Sequence, residues 1–320
     1  MRRPWVLGLL SCLALAPALP VAAAGPAVPA APARIAVIGR ADASPSWQAV
    51  KQGALDAARD LGVTVTFSAP SDEPLADAQA QLLDDALAAH PAAVCMDAID
   101  SARILPLLQK ARRAHVFLIG FGHGVDSPLA LTTAAPDNAA AAALAANKLA
   151  ALLGGAGAVG LVLRDAAAPS SIAQREGFQR LMSRRYPGIR VTASSYSGGD
   201  AKTAGDQVTL MLQADAGLSG LFIGDEDSVA GVVTALREAA AGRKLAVVGF
   251  GSGAAQVEAV RSGLLAGAVT RDPVRMGYGA VAAAVDALNG RRVPPFIDTG
   301  FHWYDRTNID DPSIAVILHP

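Results

Sequence analysis

The sequence contains little cysteine, few aromatic residues and almost no net charge, and each shortage excludes a class of protein. Two cysteines in 320 residues leave no disulfide framework of the kind that stabilises small secreted domains. Aromatic residues make up 5% of the chain while 52% of it is hydrophobic, so the core is predicted to consist of alanine, valine and leucine. A formal net charge of −1 provides no concentrated basic face, and nucleic acid is therefore not an expected partner.

The N-terminal segment has the composition of an export signal. Two arginines and an apolar run over 5–21 lead to Ala22-Ala23-Ala24. Prolines interrupt the run and small residues follow it, which argues against an uncleaved membrane anchor. The sequence thus predicts a secretory signal peptide over 1–24, cleaved near Ala24, and a periplasmic protein.

The segment after the predicted cleavage site, 25–33, is rich in proline, alanine and glycine and has no periodicity, so it is predicted to be a linker. Removal of the signal peptide takes away Cys12 and leaves Cys95 within a strand-like apolar run. A single thiol in such a run is expected to be a core residue rather than a nucleophile.

From Arg34 onward, short β-branched runs alternate with longer amphipathic stretches. The first unit is a strand over 35–38 followed by a helix over 47–60, and the alternation restarts with a helix over 138–153. Repeated β-α units predict parallel sheets that are covered by helices on both faces. The chain is therefore predicted to be an α/β protein with two lobes in tandem.

Catalytic and cofactor motifs are absent from the sequence. The run over 155–160, Gly-Ala-Gly-Ala-Val-Gly, matches the dinucleotide fingerprint as a string. A predicted helix precedes it and a strand follows it, which is the reverse of what that fingerprint requires. There is also no nucleophile elbow, no P-loop and no metal-spaced His/Cys cluster. We therefore expect no enzymatic activity, no cofactor and no metal.

Several short motifs occur in order along the chain. They are Ser44-Pro45-Ser46-Trp47, Pro136-Asp137-Asn138, Asp225-Glu226-Asp227-Ser228, Gln256-Val257-Glu258-Ala259 and Arg271-Asp272-Pro273. Taken together, they resemble the ribose and simple-sugar branch of the type I periplasmic binding proteins, relatives of the ligand domains of lactose-repressor-like regulators. The resemblance extends from Arg34 to Pro320.

The resemblance implies two Rossmann-like lobes with parallel sheets, joined by a three-strand hinge. The N-terminal lobe would comprise 34–135 plus 272–296, and the C-terminal lobe 136–271 plus 297–320. Such proteins capture a small ligand, by family default a sugar or sugar-like compound, between the lobes for an ABC-type importer, and the closed form docks on a membrane permease. The alternative is a sensing subunit for a membrane receptor or kinase with a non-sugar ligand, and an exported α/β enzyme is a third interpretation. A monomer is expected.

The resemblance also implies a set of cleft residues. The expected ligand contacts are Ser44, Ser46, Trp47, Phe121, Arg175, Asp225 and Arg271. Which of Gln174 and Arg175 faces the cleft stays open, because this motif is one residue shorter than usual before Gly177.

Three glycines, Gly120, Gly199 and Gly251, stand where sugar-binding members of this family carry contact groups. Sugars are recognised by carboxylates and guanidinium groups that bond their hydroxyls. Glycine removes such side chains, so the sequence predicts a wider and less polar cleft than a typical sugar site.

Overall fold

The computed structural model of the chain describes residues 32–42, 45–71, 75–239 and 243–318. The predicted signal peptide, residues 25–31 of the predicted linker, and Ser44 lie outside these described residues. Among the described helices, none is both long enough and apolar enough to cross a membrane.

The described residues form two six-stranded sheets. In chain order the strands are β1 (Arg34–Ile38), β2 (Thr64–Ser68), β3 (Ala93–Met96), β4 (Phe117–Phe121), β5 (Thr133–Ala135), β6 (Ala156–Leu163), β7 (Gly188–Tyr196), β8 (Leu218–Ile223), β9 (Ala246–Phe250), β10 (Gly267–Arg271), β11 (Phe296–Asp298) and β12 (Phe301–Tyr304). The first sheet has the order β11-β5-β4-β3-β1-β2 and is parallel throughout. The second has the order β12-β10-β9-β8-β6-β7, with β12 antiparallel to β10. The predicted α/β class and two-lobed architecture are thus confirmed.

Helices connect the strands and cover the sheets. They are α1 (Pro45–Leu61), α2 (Ala76–Ala88), α3 (Leu105–Arg113), α4 (Asn138–Leu152), α5 (Pro169–Arg185), α6 (Ala201–Ala214), α7 (Val229–Ala239), α8 (Ala254–Arg261), α9 (Pro273–Leu288) and α10 (Pro312–Ala315). With helices on both faces, β3 is buried along its whole length and β1 along all but its first residue, so both strands are continuous apolar runs. Cys95 lies in β3 and is fully buried, as predicted.

Small residues let neighbouring helices approach each other closely. A Cβ on Gly277 of α9 would lie 2.0 Å from the carbonyl oxygen of Val50 in α1. A Cβ on Gly177 of α5 would lie 2.1 Å from the carbonyl oxygen of Ala139 in α4. The helices therefore meet backbone to backbone at these points, where a larger side chain would not fit.

The described chain passes between the two sheets after β5, after β10 and after β11. Two of these connections are bonded to each other, because Asp298 Oδ1 accepts hydrogen bonds from the N–H of Asp137 (3.2 Å) and from that of Gly300 (2.9 Å). Strand β11 pairs in parallel with β5 through Ile297 and Asp298. These two residues therefore belong to the first sheet, whereas the sequence placed 297 onward in the second lobe.

Candidate ligand-binding cleft

A cavity of about 1100 Å³ lies between the two sheets. Its walls are formed by residues at the carboxyl ends of β1, β3 and β4 in the first sheet, and of β6, β8, β9 and β10 in the second. Open α/β sheets hold their ligands at this edge. The charged side chains that line the cavity are Arg40, Asp97, Asp137, Arg164, Asp165, Asp225, Glu226, Asp227 and Arg271.

Trp47, in the first turn of α1, supplies an aromatic ring to the wall of the first lobe. The ring packs edge-on against Phe121, with the centroids 6.1 Å apart and the planes at 65°. It fits against the end of β1 because position 39 is glycine: a Cβ on Gly39 would lie 3.0 Å from Trp47 Cε3. Phe121 itself is fully buried and does not line the cavity, so this expected contact instead supports Trp47 from the core.

A charged cluster lies on the same wall, at the ends of β1, β3 and β4. Asp97 Oδ2 accepts a hydrogen bond from the backbone N–H of His123 (3.1 Å) and lies 3.3 Å from His123 Nδ1. Arg40 Nη1 lies 3.7 Å from Asp97 Oδ1 and 3.3 Å from His123 Nδ1. The Asp97 side chain is 2% exposed, yet its Oδ1 accepts no hydrogen bond from the described residues. The cluster therefore holds a carboxylate oxygen that lacks a donor.

Gln79 of α2 fixes the position of this cluster from behind. It is fully buried, and its Nε2 donates hydrogen bonds to the carbonyl oxygens of Gly39 and Asp97, both at 2.8 Å. Its Oε1 accepts a hydrogen bond from the N–H of Ile99 at 2.8 Å. One side chain thus joins the loop after β1, which carries Arg40, to the loop after β3.

Asp225 borders the cavity directly after β8, in the turn that leads to α7. Its Oδ1 accepts a hydrogen bond from the N–H of Ser228 (3.1 Å) and its Oδ2 accepts one from the Ser228 hydroxyl (2.8 Å). Burial raises the pKa of the Asp225 carboxyl, although the hydrogen bonds from Ser228 and the charge of Arg164 act in the opposite direction. Both oxygens of this predicted contact are therefore engaged in holding the turn.

The spaces over two of the three predicted wall glycines are filled by charged side chains. A Cβ on Gly251 would lie 2.6 Å from the Cβ of Glu226, and a Cβ on Gly199 would lie 2.9 Å from the guanidinium carbon of Arg164. Gly120 is enclosed as well, with neighbouring atoms 2.9 to 3.2 Å from its ideal Cβ. The predicted loss of polar groups is therefore wrong at positions 199 and 251, because these glycines admit charged side chains from adjacent loops instead of leaving space.

Gln174, not Arg175, lies at the cavity wall. Gln174 Nε2 donates a hydrogen bond to the carbonyl oxygen of Gly224 at 3.0 Å. Arg175 Nη1 donates one to the hydroxyl of Tyr196 at 2.8 Å, and Arg175 does not line the cavity. Successive residues of a helix point about 100° apart, so only one of this pair can face the cleft.

Arg271 ends β10 and lines the cavity from the second lobe. Its guanidinium group makes no hydrogen bond or ion pair with any described residue. The N–H groups of the Arg271 guanidinium are therefore available to donate hydrogen bonds to a ligand.

Four of the expected contacts, Ser46, Trp47, Asp225 and Arg271, lie together around the cavity. Sequence reasoning missed Arg40, Arg164 and Glu226, which also line it. Arg40 and Arg164 each come one or two residues after a buried strand, and this position was the signal that could have found them. Within the described residues, no group of three or more His, Cys, Asp or Glu side chains is placed to hold a metal ion.

Comparison with known proteins shows which family shares this sequence and fold. The model of the family described as the periplasmic binding protein domain matches residues 35–292. The D-allose-binding periplasmic protein of Escherichia coli is 24% identical over 273 residues, which cover 82% of this chain and 87% of that relative. The crystal structure of a carbohydrate transporter solute binding protein from Agrobacterium radiobacter, in complex with D-arabinose, is 29% identical with a TM-score of 0.72 and covers 90% of this chain and 99% of that one.

An ABC transporter solute binding protein from Agrobacterium vitis, with bound D-fucose, is 28% identical with a TM-score of 0.71 and covers 89% of this chain and 99% of that one. Such proteins bind solutes outside the cytoplasm. Because the family model spans most of its length, the chain belongs to the periplasmic binding protein family.

Proposed function

We propose that the protein captures a sugar or sugar-like compound in the cleft and delivers it to an ABC-type importer. The observation that carries this proposal is the combination, in one interlobe cavity, of the Trp47 ring with charged side chains from both lobes. A ring packs on the apolar face of a sugar, while carboxylates and guanidinium groups bond its hydroxyls. The similar solute binding proteins with D-arabinose and D-fucose support the same ligand class.

The bonding capacity of the cavity suits hydroxyl groups. A hydroxyl donates one hydrogen bond and accepts others, so it needs acceptors and donors on the same wall. Asp97 and Arg40, from the first lobe, line the cavity as an ion pair, with Arg40 Nη1 3.7 Å from Asp97 Oδ1, and the Arg271 guanidinium, from the second lobe, is a donor group without an acceptor among the described residues. A neutral polyhydroxylated ligand can bond to charged groups of both signs.

Because these groups come from both lobes, a ligand between them favours the closed arrangement over the open one. We propose that residues 34–135 with 272–298 move as one body and residues 136–271 with 299–318 as the other, around the three connections between the sheets. The permease then recognises the closed, loaded monomer. Export would proceed through cleavage of the signal peptide near Ala24.

Isothermal titration calorimetry and thermal unfolding of the exported protein test the ligand class. The panel contains D-allose, D-arabinose, D-fucose and D-ribose, with amino acids and nucleosides as the non-sugar arm. At least one sugar should raise the midpoint of unfolding, since a ligand stabilises by RT ln(1 + [L]/Kd). The proposal is wrong if no sugar binds while a non-sugar solute does.

A second measurement tests the transport role. Deletion of the gene should abolish uptake of the radiolabelled sugar that the purified protein binds, and a plasmid copy should restore it. Uptake that continues unchanged in the deletion strain would contradict the role in import.

A further inference from the structure

Glu226 occupies the part of the second wall over Gly251. A Cβ on Gly251 would lie 2.7 Å from Glu226 Oε2, so the carboxylate lies directly over the glycine. Because Glu226 belongs to the loop after β8 and Gly251 to the loop after β9, the acid reaches across from one loop to the next.

The two oxygens of Glu226 have different surroundings. Oε2 accepts hydrogen bonds from the N–H of Ser252 (2.9 Å) and from that of Gly253 (3.2 Å). These two bonds hold the side chain in place at the start of α8. Oε1 accepts no hydrogen bond from the described residues, although Glu226 lines the cavity. The side chain is thus a fixed carboxylate with one oxygen available.

The acids on either side of Glu226 are already engaged. Both oxygens of Asp225 bond to Ser228, and Asp227 forms an ion pair with Arg164. Of the three consecutive acids after β8, Glu226 is the one that two backbone N–H groups hold through a single oxygen, which leaves its other oxygen without a hydrogen bond from the described residues.

We propose that Glu226 determines sugar specificity on the second lobe by accepting, at Oε1, a hydrogen bond from one particular hydroxyl of the ligand. The inference rests on the proposed function, because it requires a ligand with hydroxyl groups. It moves the role that the sequence predicted for Asp225 to the next residue. A fixed carboxylate discriminates between stereoisomers because only a hydroxyl in the right direction can reach it.

The variant Glu226→Gln tests this role with little change of shape. The amide oxygen keeps the bonds from Ser252 and Gly253, so an NH₂ group takes the place of Oε1. We expect the affinity for the cognate sugar to fall about ten- to a hundredfold, the usual value of a hydrogen bond to a charged group. The control is Glu258→Gln in α8, which neutralises an exposed acid of the same lobe that does not line the cavity. Its affinity should equal that of the wild type.

The decisive experiment combines these variants with monodeoxy analogues of the cognate sugar, with Kd measured by calorimetry and folding checked by thermal unfolding. For one deoxy analogue, the wild type and Glu226→Gln should bind with equal affinity, because the hydroxyl that Glu226 accepts is missing from both complexes. For the other analogues the full loss should persist. A merely structural role predicts the same loss for every analogue, and that result, or no loss at all, overturns the inference.

The outcome of the panel also separates this inference from the function on which it rests. A wild-type protein that binds no sugar overturns both. A wild-type protein that binds a sugar, with equal losses for every deoxy analogue in Glu226→Gln, leaves the proposed function standing and removes only the role of Glu226.

Discussion

The side chain of Glu226 fills the space beside Gly251 in the second wall of the cleft, where a Cβ at position 251 would lie only 2.6 Å from the Cβ of Glu226. Arg164 and Gly199 are related in the same way, at 2.9 Å. Both glycines have positive φ, +130° and +79°, a conformation that favours glycine. In each pair the charged group comes from the loop next to the glycine. The wall is thus charged at these two positions, but Glu226 and Arg164 carry the charge instead of residues 251 and 199.

Close helix packing gives a prediction about stability within α9. Replacing Gly277 with alanine places a Cβ 2.0 Å from the carbonyl oxygen of Val50, and the two helices must separate to admit it. We expect Gly277→Ala to lower the free energy of unfolding by about 2 kcal/mol or more. Urea unfolding followed by circular dichroism measures the change.

Gly279, two residues further along the same helix, provides the matched control. Its ideal Cβ would lie 3.6 Å from the nearest atom, Thr299 Cγ2, which is ordinary contact. Gly279→Ala should therefore leave the protein as stable or raise its stability by up to about 1 kcal/mol, through the better helix propensity of alanine. Equal losses in the two variants would contradict the close-packing explanation.

The buried Gln79 leads to a prediction that joins stability to binding. Gln79→Ala leaves the carbonyl oxygens of Gly39 and Asp97 and the N–H of Ile99 without their partner. Each unsatisfied buried group costs about 1–3 kcal/mol, so we expect a loss of about 3 kcal/mol or more in urea unfolding. The affinity for the cognate sugar should also fall, because Gln79 positions the loops that carry Arg40 and Asp97.

Gln81→Ala is the control for that variant. Gln81 lies in the same helix and is exposed, and among the described residues its side chain bonds only to Asp85, at 2.9 Å. Its replacement should change the free energy of unfolding by less than about 0.5 kcal/mol and leave sugar affinity unaltered. If Gln81→Ala weakened binding as much as Gln79→Ala, the positioning role would be wrong.

How far the sequence predicted this protein differs between the fold and the cleft. The two lobes followed from buried parallel strands, which appear as continuous apolar runs. Strands β11 and β12 were not predicted, and they have only 3 and 4 residues with mostly partial exposure. Their pairing depends on β5 and β10, which are distant in the sequence, and no local sequence pattern indicates it. In the cleft, the bonds from Ser228 to Asp225 could not be predicted, because they depend on the three-dimensional course of the turn.

The pH dependence of stability should report the burial of Asp225. Because burial raises the pKa of this carboxyl, the folded protein holds the proton more tightly than the unfolded chain does. Its contribution is therefore fully present below the ordinary value of 3.8 and is lost as the pH rises through the higher folded value. We expect the stability of the wild type relative to Asp225→Asn to fall as the pH increases across that window, measured by urea unfolding at successive pH values.

Asp200 should behave with the opposite sign. The hydrogen bond with Thr203 at the start of α6 lowers the pKa of its carboxyl. Its contribution is present above the ordinary value and is lost as the pH falls through the lower folded value. The stability of the wild type relative to Asp200→Asn should thus rise with pH. If the stability of the wild type relative to each variant changed with pH in the same direction for Asp225→Asn and Asp200→Asn, the opposite pKa shifts of the two carboxyls would be contradicted.

Intrinsic fluorescence can locate the ligand, since the chain has three tryptophans. One of them, Trp5, lies in the predicted signal peptide and is absent after cleavage. Trp47 lines the cavity, whereas Trp303 lies in β12 of the second sheet, donates a hydrogen bond to Asp305 Oδ2 (2.7 Å) and does not line it. A sugar that packs on Trp47 should therefore change the emission of that residue alone.

The matched pair is Trp47→Phe and Trp303→Phe. The second variant should show the same change in emission on addition of the sugar as the wild type, and the first should show none. Trp47→Phe should still bind in calorimetry, because phenylalanine keeps an aromatic face, while Trp47→Ala should lose about tenfold or more in affinity. An emission change that survives in Trp47→Phe and disappears in Trp303→Phe would place the ligand outside this cavity, because the reporting ring would then be one that the cleft does not contain.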